Sequence, residues 1–433
     1  MDHSGIHKAH VEAWGGTEYT HNRVGDRYFD QMNLSGHSSR TTDVELFAKL
    51  GIRALRCGVL WERHSLESSW RWPDAYLNAV RSTGMRPIVG LMHHGSGPRH
   101  TSLMDADFPS KLASYAAEVS ARYPWVDAYT PVNEPNTTAR FACRYGIWHP
   151  HHFSQESYLR ALVNQVKAVV LSMRAIRTIR SDAQLIQTDD LGRVWSTPEL
   201  AGIGELLNER RWLAFDLLCG CVNRTHPMYE YLRKGGIEDR DIFWFADNPC
   251  PPDICGANYY VTSDRYLDHR VHLYSTNCRS AEGPFVDLEA VRVRPEGIQG
   301  FESILLEAHE RYHLPVAITE VHLGDVVEEQ IRWAAEAWRG AQRARQAGVD
   351  CRAITFWALL GSYFWNSLVT AHNGHYEAGV FDLRSGVPAA TELAEVVRQC
   401  ARGDEPNHRA LLESGWWHSL SRIRYDSEAV LAA

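Results

Sequence analysis

Three features of the chain predict an α/β protein built as one (β/α)₈ barrel, the TIM barrel architecture. Eight short apolar runs recur at regular spacing, and a helical stretch follows each one except where a long loop intervenes. Several of the runs are almost continuously apolar, which marks strands buried on both faces, as in a parallel sheet. A count of eight favours closure into a barrel over an open, doubly wound sheet.

The strands are expected at 11–19, 52–61, 86–94, 126–134, 183–190, 254–260, 315–321 and 352–360. The clearest helix covers 155–180, where Leu159, Leu162, Val163, Val166, Val169, Val170 and Met173 fall on one stripe at helical spacing. That stripe is expected to face the barrel wall. Segment 41–50 opens on a Thr/Asp cap signal and closes on Gly51, and 328–347 is a second amphipathic run. No repeat or linker divides the chain, so residues 1–400 are assigned to the barrel and 401–433 to a C-terminal extension packed on it. Trp416 and Trp417 are the residues expected to pin that extension.

The 433 residues are 44% hydrophobic and 23% charged, which suits a globular protein with a large core rather than a disordered one. A net charge of -8 offers no broad cationic field, so neither nucleic acid nor a membrane is expected as a partner. The start lacks a charged region followed by an apolar run, and a cytoplasmic location is expected. Nine cysteines without a C-x-x-C pair read as reduced thiols. Oligomeric state is not written in the sequence.

In a barrel the carboxyl ends of the strands converge on one mouth, so polar residues ending apolar strands are the candidates for chemistry. In chain order these are Glu18; Arg56; His93 and His94; Asn133 and Glu134; Asp189 and Asp190; Asn258 and Tyr260; Glu320; and Trp357. Two carboxylates facing one sugar-sized pocket are what glycoside hydrolysis requires, and Glu134 and Glu320 fit that need. A separation of about 5–5.5 Å would give retention of configuration, and a wider one inversion. The alternative for either residue is a helix cap or an arginine pair.

TPVNEPN (130–136) and ITEVH (318–322) together resemble the paired signatures of glycoside hydrolase family 1, the β-glucosidase family of a retaining clan. LRCGVLW (55–61), LMHH (91–94), GANYY (256–260) and FWALLGSYFW (356–365) are similar to its other strand-end motifs, in the same order. The resemblance implies Glu134 as acid/base and Glu320 as nucleophile, with no cofactor and no metal. It implies that Arg56 and Tyr260 bond the nucleophile and lower its pKa, while the charge of Glu320 raises that of Glu134. It further implies His93 and Asn133 on the sugar, the latter at its 2-hydroxyl, and Trp357 as the platform beneath the glycone. Glu18 stands where the family has glutamine, His94 where it has tryptophan, and Phe364, before Trp365, where it has glutamate. Loss of that glutamate would favour a deoxy sugar against an apolar Phe364 wall, or an amino sugar facing Glu18. Segment 14–31 also resembles the barrel portion of bacterial proteins fused to a dTDP-4-dehydrorhamnose reductase-like domain. No G-x-G-x-x-G fingerprint follows here.

IWHPHH (147–152) invites a metal-site reading through His149, His151 and His152, but no H-E-x-x-H spacing supports one. Trp195 and Tyr145 are candidates for the leaving-group side, with packing as the equal alternative. The function expected is a retaining β-glycosidase acting on a small glycoside or oligosaccharide. Its rivals are a transglycosidase and a sugar-binding barrel without turnover.

Overall fold

The computed structural model describes residues 10–425. Eight parallel strands form a closed barrel: β1 (Glu12–Gly16), β2 (Ala54–Gly58), β3 (Arg86–His93), β4 (Ala128–Asn133), β5 (Gln184–Asp190), β6 (Ile254–Asn258), β7 (Val316–Val321) and β8 (Cys351–Phe356). Closure is made by β1, which pairs with β2 on one side and β8 on the other. Each expected run contains or overlaps one strand, and the strands are shorter because the polar residues beyond them belong to loops. Glu18, for instance, lies two residues past the end of β1.

Around the barrel stand α1 (Asp43–Ala48), α2 (Arg71–Ser82), α3 (Phe108–Arg122), α4 (Gln155–Arg177), α5 (Leu213–Leu218), α6 (Phe301–Tyr312), α7 (Val327–Gln346) and α8 (Leu393–Arg402). All seven stripe residues of α4 are buried. Its first turn is capped by Ser154, whose hydroxyl accepts from the Ser157 amide at 3.1 Å, a bond worth about 1 kcal/mol. None of the helices among the described residues is long and apolar enough to cross a membrane.

Strand alternation divides the interior into two cores. Outward residues such as Leu55, Cys57, Val89 and Leu185 join the helices in one large cluster. A second, separate cluster takes one residue from each strand: Trp14, Ala54, Ile88, Ala128, Ile186, Ile254, Ala317 and Ala353. It fills the inside of the barrel. One indole among small and branched partners packs the centre without leaving a channel. Above this floor the inward positions turn polar, with Arg56, Thr188, Asn258 and Thr319 all fully buried.

Loops after β5 and β6 carry an extra three-stranded sheet of Val194–Ser196, Arg265–Asp268 and Val286–Glu289, whose strands are too short to show a sequence period. At the C-terminal end Trp417 is buried edge-on against Trp333 of α7, 5.0 Å between ring centroids, and its indole N–H donates to Glu336 at 2.7 Å. Trp416 lies half-buried under the Arg292 guanidinium, 3.9 Å from its ring centroid. The nine cysteines are free thiols.

Candidate active site

The mouth of the barrel opens into a cavity of about 1060 Å³ whose inner lining includes Glu18, Glu134, Tyr260, Glu320, Trp357 and Trp365. Glu320 enters it because β7 carries a bulge: between Ile318 and Glu320 the register against β6 slips, so Thr319 and Glu320 together face Asn258. One Glu320 oxygen accepts from Arg56 Nη1 at 3.0 Å and the other from the Tyr260 hydroxyl. Arg56 also donates to the Thr319 carbonyl at 2.6 Å and to Asn133 Oδ1 at 2.8 Å, which fixes its fork.

The pKa expected for Glu320 from sequence requires correction. Burial pushes the carboxyl up to about 7, against the downward pull of Arg56 and Tyr260 and with an added push from Glu18. Glu134 is driven well above the ordinary carboxylate range, first by burial and then by the charges of Glu320, Asp190 and Asp189. Both carboxyls are thus held above the ordinary range, with donors favouring the charged form of Glu320 and neighbouring acids favouring the neutral form of Glu134.

Glu134 follows β4 directly in a left-handed conformation (φ 44°, ψ 62°), and Pro135 then starts the short helix Pro135–Ala139. Its Oε1 accepts from the Asn258 amide at 2.5 Å. Asp189 holds the turn from below, accepting from the Asn136 and Thr137 backbone amides at 2.9 and 3.3 Å. Asn258, a strand-end candidate for substrate binding, has its side chain committed within the protein, its amide to Glu134 and its carbonyl oxygen accepting from Thr319 Oγ1 at 2.7 Å.

Beneath the cavity, Asn133 Oδ1 accepts from both Arg56 and Thr188 Oγ1 (2.7 Å), so its amide nitrogen is the end that faces His93 Nε2 at 3.2 Å. His93 lies parallel to Trp357, 5.5 Å between centroids, and burial pushes its pKa well below the usual value. Gly16 permits this stack: a Cβ there would meet the Trp357 ring at 2.5 Å. Glu18 closes the inner end, accepting from the Thr20 amide at 2.8 Å and from the indoles of Trp357 at 3.3 Å and Trp365 at 3.1 Å. His94 borders the cavity in a left-handed conformation (φ 53°), its Nδ1 3.0 Å from Thr138 Oγ1 and its ring tilted on Trp148.

Phe364 does not form the expected wall. Its positive φ of 63° turns the ring out of the mouth into an apolar cluster with Phe29 and Val369, edge-on to His372. His94, Trp148, Trp365 and Leu368 line the cavity in its place. Trp195 also lies away from the cavity, 3.9 Å from the Arg294 guanidinium, whereas Tyr145 lines it.

The three loop histidines tie strand loops together. His151 Nε2 accepts from the Gly25 amide at 2.9 Å while its Nδ1 faces the Gly146 carbonyl at 2.8 Å, which fixes the tautomer. His152 Nδ1 meets Ser157 Oγ at 2.9 Å, and His149 Nε2 lies 3.5 Å from Arg23. Thr188, Thr319 and Trp148 are contributions that strand-end reading did not assign. A threonine inside a strand carries no sequence mark of what its hydroxyl holds.

No family model matches the chain. It is 23% identical over 373 residues to the 6-phospho-beta-glucosidase of Dickeya chrysanthemi, covering 77% of each chain. It is 21% identical over 458 residues to the coniferin beta-glucosidase of Pinus contorta, covering 90% of this chain and 87% of that one. In fold it is similar to the beta-glucosidase from Thermotoga maritima in complex with deoxynojirimycin, with a TM-score of 0.73 at 17% identity over 91% of this chain and 98% of that one. The Family 1 beta-glucosidase from Thermotoga maritima in complex with isofagomine lactam gives a TM-score of 0.70 at 18% identity, over 86% and 88%. By these comparisons the chain is similar in sequence to beta-glucosidases and shares the closed eight-stranded parallel barrel of the solved family 1 structures.

Proposed function

We propose that the protein hydrolyses a β-linked glycoside with retention of configuration. The observation that carries the reading is the opposed surroundings of two buried carboxyls at one mouth: Glu320 takes two donors, while Glu134 faces three other acids and one amide. In the first step a Glu320 oxygen bonds the anomeric carbon as the bond to the leaving oxygen breaks, and that oxygen takes the Glu134 proton. In the second, Glu134, now a carboxylate, takes a proton from water, whose oxygen replaces Glu320 on the anomeric carbon. The covalent stage removes the charge of Glu320, so Glu134 loses one cause of its high pKa when it must act as base.

A cavity of about 1060 Å³ suits an oligosaccharide or a glycoside with an extended leaving group rather than a lone sugar. At the inner end the buried Glu18, an acceptor where it meets the sugar, favours a glycone whose edge bears an amino group or another donor. Proton NMR of the first-formed sugar from an aryl β-glycoside tests the mechanism. The β-anomer is expected, and the α-anomer would reject retention. Glu320→Gly is expected to lose turnover, and azide to restore it on a 2,4-dinitrophenyl β-glycoside with the α-glycosyl azide as product. A folded variant without rescue would remove Glu320 from the nucleophile role.

A further inference from the structure

Arg140 follows the acid Glu134 by six residues and lines the same cavity. It makes no ion pair among the described residues. Its Nη2 donates to Thr137 Oγ1 at 3.3 Å, and its Nε is buried without a hydrogen-bond partner. The carboxylate best placed to neutralise this region is already taken. Glu282 receives both nitrogens of the Arg210 fork at 2.5 and 2.8 Å and the Tyr145 hydroxyl at 2.6 Å, with Arg144 at 4.0 Å. Burial alone would raise Glu282; Arg210 and Tyr145 overcome it and hold the carboxyl down at about 2, so it stays charged. Asp190 acts on Arg140 through space, yet its oxygens are occupied by the Gly192 amide and the Ser263 hydroxyl. One glutamate thus pairs with Arg210 and Arg144, and the Arg140 guanidinium on the cavity wall, which feels Glu282, Asp189 and Asp190 through space, has no carboxylate within ion-pair distance among the described residues.

A half-buried guanidinium with no carboxylate in direct contact gains from a ligand that completes its hydrogen bonds. Arg140 ends the short helix that Glu134 begins and lines the same cavity, which sets it on the side of the acid, where the leaving group departs. We infer that Arg140 is the anion-binding element of a leaving-group subsite, and that the preferred leaving group carries a carboxylate or phosphate-type substituent. This rests on the hydrolase reading above. Arg140 adds affinity and selectivity there and takes no part in bond breaking.

The test compares β-D-glucosides of 4-hydroxyphenylacetate, 4-hydroxyphenylacetamide and 4-hydroxybenzylphosphonate, whose similar phenols ask the same of Glu134. The wild-type protein is expected to favour an anionic glucoside over the amide by about tenfold or more in kcat/KM. The ratio should fall toward one in both Arg140→Met and Arg140→Gln. A preference confined to the phosphonate would name phosphate esters as the class; a preference for the acetate would name carboxylates. Should neither variant fold, the wild-type ratio still decides, and it should shrink between roughly 50 and 500 mM salt. A wild-type ratio near one, or a ratio unchanged in the variants, overturns the inference. Calorimetric binding of free 4-hydroxyphenylacetate against its amide separates this from failure of hydrolysis. Tighter binding of the acid, lost in Arg140→Met, upholds the site even if no glucoside is cleaved, and equal binding rejects it.

Discussion

In the proposed mechanism a carboxyl that is charged and one that carries a proton share the barrel mouth, with Glu320 ionised and Glu134 neutral at once. On the free protein, kcat/KM should rise as pH climbs through about 7, where Glu320 loses its proton, and fall again where Glu134 loses its own at higher pH. Removing the Tyr260 hydroxyl takes a donor from the charged form of Glu320, so Tyr260→Phe should move the acidic limb upward by about one unit. A wild-type limb at the ordinary carboxylate range would mean that Arg56 and Tyr260 outweigh burial at Glu320. For Glu134→Ala, the loss in rate should grow as the leaving group becomes more basic, because protonation matters most for a poor leaving group. Equal loss across aryl glycosides of widely different phenol acidity would take Glu134 out of the acid role. Phe364→Glu should lower stability by about 2–4 kcal/mol in urea unfolding rather than rewrite specificity, since a charge would enter the cluster of Phe29 and Val369. The polar strand ends were legible because barrel geometry brings them to one mouth whatever the loops do. Phe364 was not, because a left-handed residue in a loop turns its side chain away from where its neighbours in sequence point.

Among the elements, the strands and the long helices were readable from period alone, as the α4 stripe illustrates. The bulge in β7 was not, though it is what turns Glu320 inward, because an extra residue in a strand leaves the apolar pattern almost unchanged. The turn after β4 is likewise an element-level device. Asp189 caps the helix that begins behind Glu134, and Asp189→Ala should lower kcat about tenfold or more with KM little changed, while Asp189→Asn, which keeps an acceptor, should restore most of the rate. Comparable loss in both variants would argue against the capping role. At the C-terminal end, Trp417→Ala should cost about 3–5 kcal/mol, because the indole fills a fully buried site on Trp333 and satisfies Glu336. A thermal midpoint close to wild type would show that the extension is not integral to the barrel's stability.

For the whole molecule, the alternation of eight strands and helices was enough to state the barrel, whereas the outer cavity was out of reach of sequence reading. Its wall is assembled from loops after several strands, with Arg140, Glu282 and Trp416 distant in sequence and adjacent only through folding. Trp14 and its seven partners have one more consequence, which concerns traffic. They stop the barrel at its base, so whatever enters by the mouth leaves by the mouth, and a molecule seated against Glu18 is trapped behind anything seated beside Arg140. Departure is therefore a queue: the outer fragment first, the inner sugar last. Steady-state product inhibition should show it, with the released sugar competing directly with substrate and the outer fragment giving a mixed pattern, and the reverse assignment would mean that the inner sugar has a second way out.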